Sequence, residues 1–143
     1  VEAPLTEAQQ AARDAELKKQ RDAERVAQEQ KRRDVALMTT YATEQDLDVA
    51  RDRQVREVER SIAQAQEKLA TAQKNKAKLS KDKEFYKNGA LPDDLKDSLK
   101  RADANVAAEE ANIATKKKEI DDIKARFEAD RLRLRELRSD KAP

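Results

Sequence analysis

"KNGALPDDL", residues 87–95, contains the only glycine of a 143-residue chain and one of its three prolines. Long charged, alanine-rich stretches lie on both sides of it. Asn88 and Gly89 suit the left-handed conformation that ends many helices, while Pro92 and the acidic residues after it favour the start of another. The stretch therefore predicts a turn at residues 88–93 between two helices.

The composition limits how such helices could pack. Charged residues make up 43% of the chain, hydrophobic residues 37% and aromatic residues 3%, whereas an ordinary globular domain has roughly 25% charged and 45–50% apolar residues. This favours a thin apolar seam between helices over a thick core. Disorder is the competing interpretation, above all for residues 1–34, but a net charge of only +2 and a regular apolar period argue against it elsewhere.

Apolar residues recur at intervals of seven on both sides of the turn. After the turn they are Leu99, Val106, Ile113, Ile120, Phe127 and Leu134, and before it they are Val55, Ile62 and Leu69, with Val58, Ala65, Ala72, Leu79 and Tyr86 at the other seam position. The second position after the turn holds both apolar and polar residues: Leu95, Ala102, Glu109, Lys116, Ile123, Asp130 and Leu137. The 4,3 spacing predicts an all-α fold, a long antiparallel coiled-coil hairpin.

The expected hairpin register pairs residues whose numbers add to about 181 or 182. It places Leu69 opposite Ile113 and Ile62 opposite Ile120, and it brings Lys76 within one layer of Glu109.

An alanine-rich helix is predicted to precede the hairpin. Pro4 and the pair Thr6 and Gln9 mark its start, and its pattern continues to about Met38. "TTYATEQDL", residues 39–47, contains a second capping box and no glycine or proline, which indicates an elbow. We therefore divide the chain into an N-terminal helix and elbow, 1–42, and a hairpin, 43–143.

The residue inventory argues against an enzyme. The chain has no histidine, cysteine or tryptophan and a single glycine, which excludes a histidine base, a thiolate nucleophile, the common zinc ligands and a glycine-rich phosphate loop. We expect no catalytic, metal-binding or cofactor-binding residues, and no cofactor.

The charges favour solvated helix faces over a nucleic-acid site. Lys and Arg number 32 and Asp and Glu number 30, a balance typical of salt-bridged surfaces, so nucleic-acid binding is an unfavoured alternative. The predicted turn is lysine-rich and the open end arginine-rich, which leaves contact of a basic tip with acidic protein or anionic lipid as a further hypothesis. The sequence contains no apolar run of about 18 residues, the length that would predict a membrane span.

Two groups of residues are hypothesised to contact a protein partner or a second copy of the chain. The first, near the elbow and the open end of the hairpin, comprises Val35, Leu37, Met38, Tyr41, Leu47 and Leu132. The second is a small-residue stripe on the last helix: Ala104, Ala107, Ala111 and Ala114. The alternatives are a local core for the first group and a solvated face for the second, since alanine is the best helix former.

The segment "KRRDVALMTTYATEQDLDVARDRQ", residues 31–54, resembles a stretch of uncharacterised exported coiled-coil proteins of proteobacteria. The matching residues are Tyr41, Thr43, Glu44, Asp46, Ala50, Arg51, Asp52 and Arg53. The resemblance implies an envelope or periplasmic location and no assigned activity. A looser resemblance is to periplasmic holdase chaperones with coiled-coil tentacles, although this chain lacks their β-rich body.

These observations lead to one expected function and an alternative. We expect a non-enzymatic structural or adaptor protein of the bacterial envelope that acts through helix–helix interactions, with a periplasmic holdase as the alternative. The chain begins at Val1, which we expect to reflect loss of a signal peptide or of an N-terminal domain.

Overall fold

The computed structural model describes residues 3–86 and 89–141, with side chains described as far as residue 139. These residues form three helices, α1 (Glu7–Thr40), α2 (Glu44–Glu84) and α3 (Asp93–Lys141). Helix accounts for 90% of the structure, and no strand occurs among the described residues. The all-α prediction is confirmed.

Both predicted capping boxes form. At the start of α1, the backbone N–H of Gln9 donates to the Thr6 hydroxyl at 3.1 Å, and the N–H of Thr6 donates to the Gln9 amide oxygen at 3.0 Å. Before α2, the N–H of Asp46 donates to the Thr43 hydroxyl at 3.1 Å, and the N–H of Thr43 donates to the Asp46 carboxylate at 3.2 Å. Local hydrogen bonding therefore fixes where both helices begin.

The start of α3 also follows the predicted chemistry. The backbone N–H groups of Leu95 and Lys96 both donate to the carbonyl of Pro92 at 3.1 Å, and the helix begins at Asp93. The left-handed residue expected at Asn88–Gly89 stays a prediction, because the φ angle of Gly89 depends on the position of its neighbour. Asn88, the other residue proposed for that conformation, lies outside the described residues.

The chain divides into two compact units. Unit 1 consists of residues 1–46 and 130–143, and unit 2 of residues 47–129. Unit 1 contains α1 and the C-terminal part of α3, while unit 2 contains most of α2 and most of α3.

In unit 2, α2 and α3 pack closely along a narrow apolar seam. Its buried residues are Leu47, Val55, Ile62, Ala65, Ala102, Val106, Ile113, Ile123 and Phe127. All of these except Leu47 occupy predicted heptad positions. Ile62, Ala65 and Ile113 form a cluster against which Val58, Leu69 and Ile120 pack, and all six occupy heptad positions of the expected seam.

Polar contacts between α2 and α3 flank this seam. The Arg126 guanidinium donates to the Gln54 amide oxygen at 2.7 Å. Lys76 forms an ion pair with Asp103 at 3.1 Å, and not with Glu109, which the expected register placed within one layer of it.

Candidate functional site

The connection between α1 and α2 is short. Only Tyr41, Ala42 and Thr43 separate the two helices. Tyr41 ends α1 in an extended conformation, and its N–H donates to the Leu37 carbonyl at 3.1 Å. The hydroxyls of Thr39 and Thr40 donate to backbone carbonyls one turn earlier, both at 2.7 Å. The last turn of α1 is thus fully engaged in local hydrogen bonds.

Four arginines of α3, which we call the arginine cluster (Arg131, Arg133, Arg135 and Arg138), bind the residues around this connection. Arg133 forms a two-pronged contact with Asp34 of α1, from Nε to Oδ1 at 3.0 Å and from Nη2 to Oδ2 at 2.8 Å. The Asp34 side chain is only 14% exposed. Planar, charge-assisted contacts of this kind fix orientation as well as distance, so Arg133 fixes the end of α1 against α3.

The second carboxylate of the site is Glu44, in the first turn of α2. Arg135 donates hydrogen bonds to its carboxylate from Nε and Nη2, and Nη1 of Arg131 donates to the same carboxylate at 3.4 Å. Arg131 is the most shielded member of this trio, with a side chain 12% exposed. One carboxylate therefore accepts from two cations on α3.

Arg138 binds the connection itself. Its Nη2 donates to the carbonyl oxygens of Tyr41 and Ala42, at 2.7 and 2.8 Å. These carbonyls follow the last turn of α1, where backbone acceptors lack helical partners. The arginine cluster thus holds the end of α1, the connection and the start of α2 by charge and hydrogen bonding.

These contacts change the acidity of both carboxyl groups. The hydrogen bond from Arg133 lowers the pKa of Asp34, against the opposing effect of partial desolvation. The hydrogen bond from Arg135 likewise lowers the pKa of Glu44. In return, Asp34 raises the pKa of Arg133. All three shifts favour the ionised, paired state.

We expect the contribution of these two carboxylates to stability to be present at neutral pH and lost in acid. A depressed folded-state pKa stabilises the fold above the ordinary values, 3.8 for Asp34 and 4.5 for Glu44, and this stabilisation disappears as pH falls through the lowered values. The melting temperatures of the wild type and of Asp34→Asn/Glu44→Gln should differ most near about pH 6, and the difference should shrink as pH falls below the ordinary pKa values.

The matched control for this series is Glu16→Gln/Glu24→Gln, which removes the same charge from exposed positions of α1. The difference in melting temperature between this control and the wild type should stay small at every pH. A melting-temperature difference for Asp34→Asn/Glu44→Gln that does not change with pH would contradict the ion pairing.

Burial divides the first group of predicted contact residues. Val35 and Leu132 are exposed, Leu37, Met38 and Tyr41 are half-buried, and Leu47 is fully buried. Tyr41 is joined to the arginine cluster through its carbonyl. Exposed apolar surface in this group therefore comes from Val35 and Leu132.

The second group is exposed, and so is most of the first helix. Ala104, Ala107, Ala111 and Ala114 are all exposed in unit 2. Across Glu7–Thr40, every residue of which the structure describes, no residue is buried. Leu17, Val26 and Val35 of α1 are large exposed apolar residues, and a shallow depression beside Val35 is lined by Gln28, Lys31 and Arg32.

Sequence reasoning missed the roles of Asp34, Glu44 and the arginine cluster. The available signal was the arginine-rich run "RLRLRELR", residues 131–138. We interpreted it as part of a solvated, charge-balanced surface, since its acidic partners are about 90–100 residues away in the chain and share no periodicity with it.

Other kinds of site were sought in residues 3–86 and 89–141. No group of acidic residues in these ranges could hold a metal ion, and none of the helices found there is long and apolar enough to cross a membrane. No protein-family model, curated protein or solved structure matches the chain.

Proposed function

We propose that this chain is a non-enzymatic structural or adaptor protein of the bacterial envelope that binds other proteins through its helix faces. The observation that carries the proposal is the exposure of α1, a helix of 34 residues in which none is buried and all but Asp22, Asp34, Leu37 and Met38 are exposed. At 1.5 Å per residue such a helix is about 50 Å long. The envelope location depends on the resemblance of residues 31–54 to exported coiled-coil proteins.

An exposed helix of this length suits a binding role for two reasons. Amphipathic packing normally supplies most of the stability of a helix, and α1 has no buried face from which to gain it. Its C-terminal end is nevertheless fixed by the pair Asp34 and Arg133. A helix held at one end and exposed along its length can present side chains to a partner.

We further propose that α2 and α3 form an antiparallel coiled coil that serves as the rigid part of the adaptor. Two contacts support this arrangement. Gln54 meets Arg126, and Lys76, farther along α2, meets Asp103, which precedes Arg126 on α3. Partners that advance along one helix while receding along the other are typical of antiparallel helices.

A holdase is the second candidate, favoured by the dispersal of large exposed apolar residues. Leu17 and Val26 lie on α1, Val49 and Phe85 on α2 or just beyond its end, and Leu132 on α3. Scattered apolar contacts would suit many unfolded clients. Nucleic-acid binding lacks such support, and it predicts retention on DNA that falls steeply with salt.

A photo-crosslinking side chain at Val26 tests the adaptor proposal. Val26 is 59% exposed, and Glu24, two residues away, points to another face because successive helical residues are rotated by about 100°. In envelope extract from the source organism we expect one dominant crosslinked protein from position 26 and little from position 24.

Crosslinks to many proteins from both positions would contradict the adaptor proposal. The holdase alternative would then require suppression of the aggregation of several unrelated clients at equimolar amounts. Crosslinking to a single protein, with no suppression of client aggregation, would exclude the holdase alternative.

A further inference from the structure

A groove of about 680 Å³ opens between α2 and α3 in the middle of unit 2. Its floor contains the small side chains Ala72 and Ala108, and the amides of Asn75 and Asn105 lie along it. Volumes of this order are typical of ligand sites. The groove forms where the apolar seam is weakest, since Ala72 occupies a heptad position that takes a large residue at Leu79.

A carboxylate interrupts the seam at the same place. Glu109 occupies a heptad position and lines the groove. Its Oε2 atom is buried and has no hydrogen-bond partner among the described residues. An unpaired buried acceptor costs free energy, so a donor that reaches this atom would be favoured.

The donor that the heptad register predicts does not reach Glu109. Lys76, expected one layer away, instead pairs with Asp103 at 3.1 Å. Glu67, Lys68 and Glu109 are the charged groups that line the groove, which gives two negative charges against one positive charge. The groove is therefore complementary to a cation.

We propose that this groove receives a lysine or arginine side chain from a helix of a partner protein. The charged end donates to Glu109 Oε2, which the occupant reaches when the Glu109 side chain rotates toward the groove, and the alkyl stem lies against Ala72 and Ala108, as long basic side chains commonly pack. The groove is open to solvent, which suits a side chain attached to a larger body. The inference rests on the proposed function, in that the partner is a protein.

The test uses an alanine-based helical peptide with one central lysine, and the same peptide with norleucine in its place. Titration into the full chain is followed by the backbone amide NMR signals of Ala72, Asn105 and Ala108. We expect the lysine peptide to shift these signals saturably, and Glu109→Gln to weaken binding about tenfold, as the loss of a charge-assisted hydrogen bond predicts.

The neighbouring exposed Glu110 supplies a matched control, because Glu110→Gln removes the same charge. We expect its affinity to stay within about twofold of the wild type. Lys68→Gln should strengthen binding, because it removes the one positive charge among the residues that line the groove. Unchanged helical circular dichroism establishes that each variant is folded.

The inference would be overturned by equal binding of the norleucine peptide, by equal weakening from Glu109→Gln and Glu110→Gln, or by weaker binding of the lysine peptide to Lys68→Gln. If free butylammonium binds as tightly as the lysine peptide, the part of the inference that places the basic side chain on a helix would be overturned. The crosslinking experiment on α1 probes residues outside this groove. A dominant partner captured there, with no peptide binding here, would reject this inference and leave the proposed function intact.

Discussion

Replacing Phe127 with alanine is expected to destabilise the helical pair of unit 2 by about 3 kcal/mol. Phe127 is only 3% exposed, and the Arg126 guanidinium lies 5.6 Å from the centre of its ring. Truncation of a buried phenylalanine typically costs about 3–5 kcal/mol through lost apolar burial and the cavity left behind. We expect a loss at the lower end of this range because a seam between two helices can partly collapse into the cavity left by the missing ring. Urea denaturation followed by circular dichroism measures the loss.

The only other phenylalanine of the chain provides the control. Phe85 is 87% exposed, so Phe85→Ala should change the free energy of unfolding by less than about 0.5 kcal/mol. Similar losses from both substitutions would show that Phe85 is covered in solution. A loss below about 1 kcal/mol for Phe127→Ala would contradict the seam as the source of stability.

The seam could be predicted because its information is local and periodic. Val106, Ile113 and Phe127 recur at intervals of seven, and each is buried. The capping boxes at Thr6 and Thr43 were predictable for the same reason, since the hydrogen-bonding groups lie three residues apart.

The arginine cluster was not predictable because it depends on distant pairs. Arg133 and Asp34 are 99 residues apart, and neither residue differs in type from many exposed neighbours. Only the three-dimensional structure shows which of the 32 basic residues meet shielded carboxylates. The unpaired Glu109 oxygen was missed for a related reason, because the expected register places Lys76 opposite a point between Asp103 and Glu109, and the sequence does not show which of the two acids it meets.

The arginine cluster surrounds an apolar residue that anchors the C-terminal part of α3. Leu134 is fully buried, whereas Leu132, two residues earlier, is 52% exposed. Leu134 lies between Arg133 and Arg135, which bind Asp34 and Glu44 respectively. Exposed ion pairs contribute little by themselves, so we infer that burial of Leu134 supplies most of the stability of this region and that the arginines fix its geometry.

We therefore expect Leu134→Ala to destabilise unit 1 by about 3 kcal/mol, within the range of about 2–5 kcal/mol for buried leucines, while Leu132→Ala changes its stability by less than about 0.5 kcal/mol. Amide hydrogen exchange locates the effect: the N–H of Tyr41, bonded to the Leu37 carbonyl, should exchange faster in Leu134→Ala.

Light scattering of both variants tests the interface hypothesis. If Leu132→Ala leaves stability unchanged but abolishes self-association or partner binding, Leu132 lies in an interface. If it destabilises a monomer as much as Leu134→Ala does, Leu132 belongs to a core.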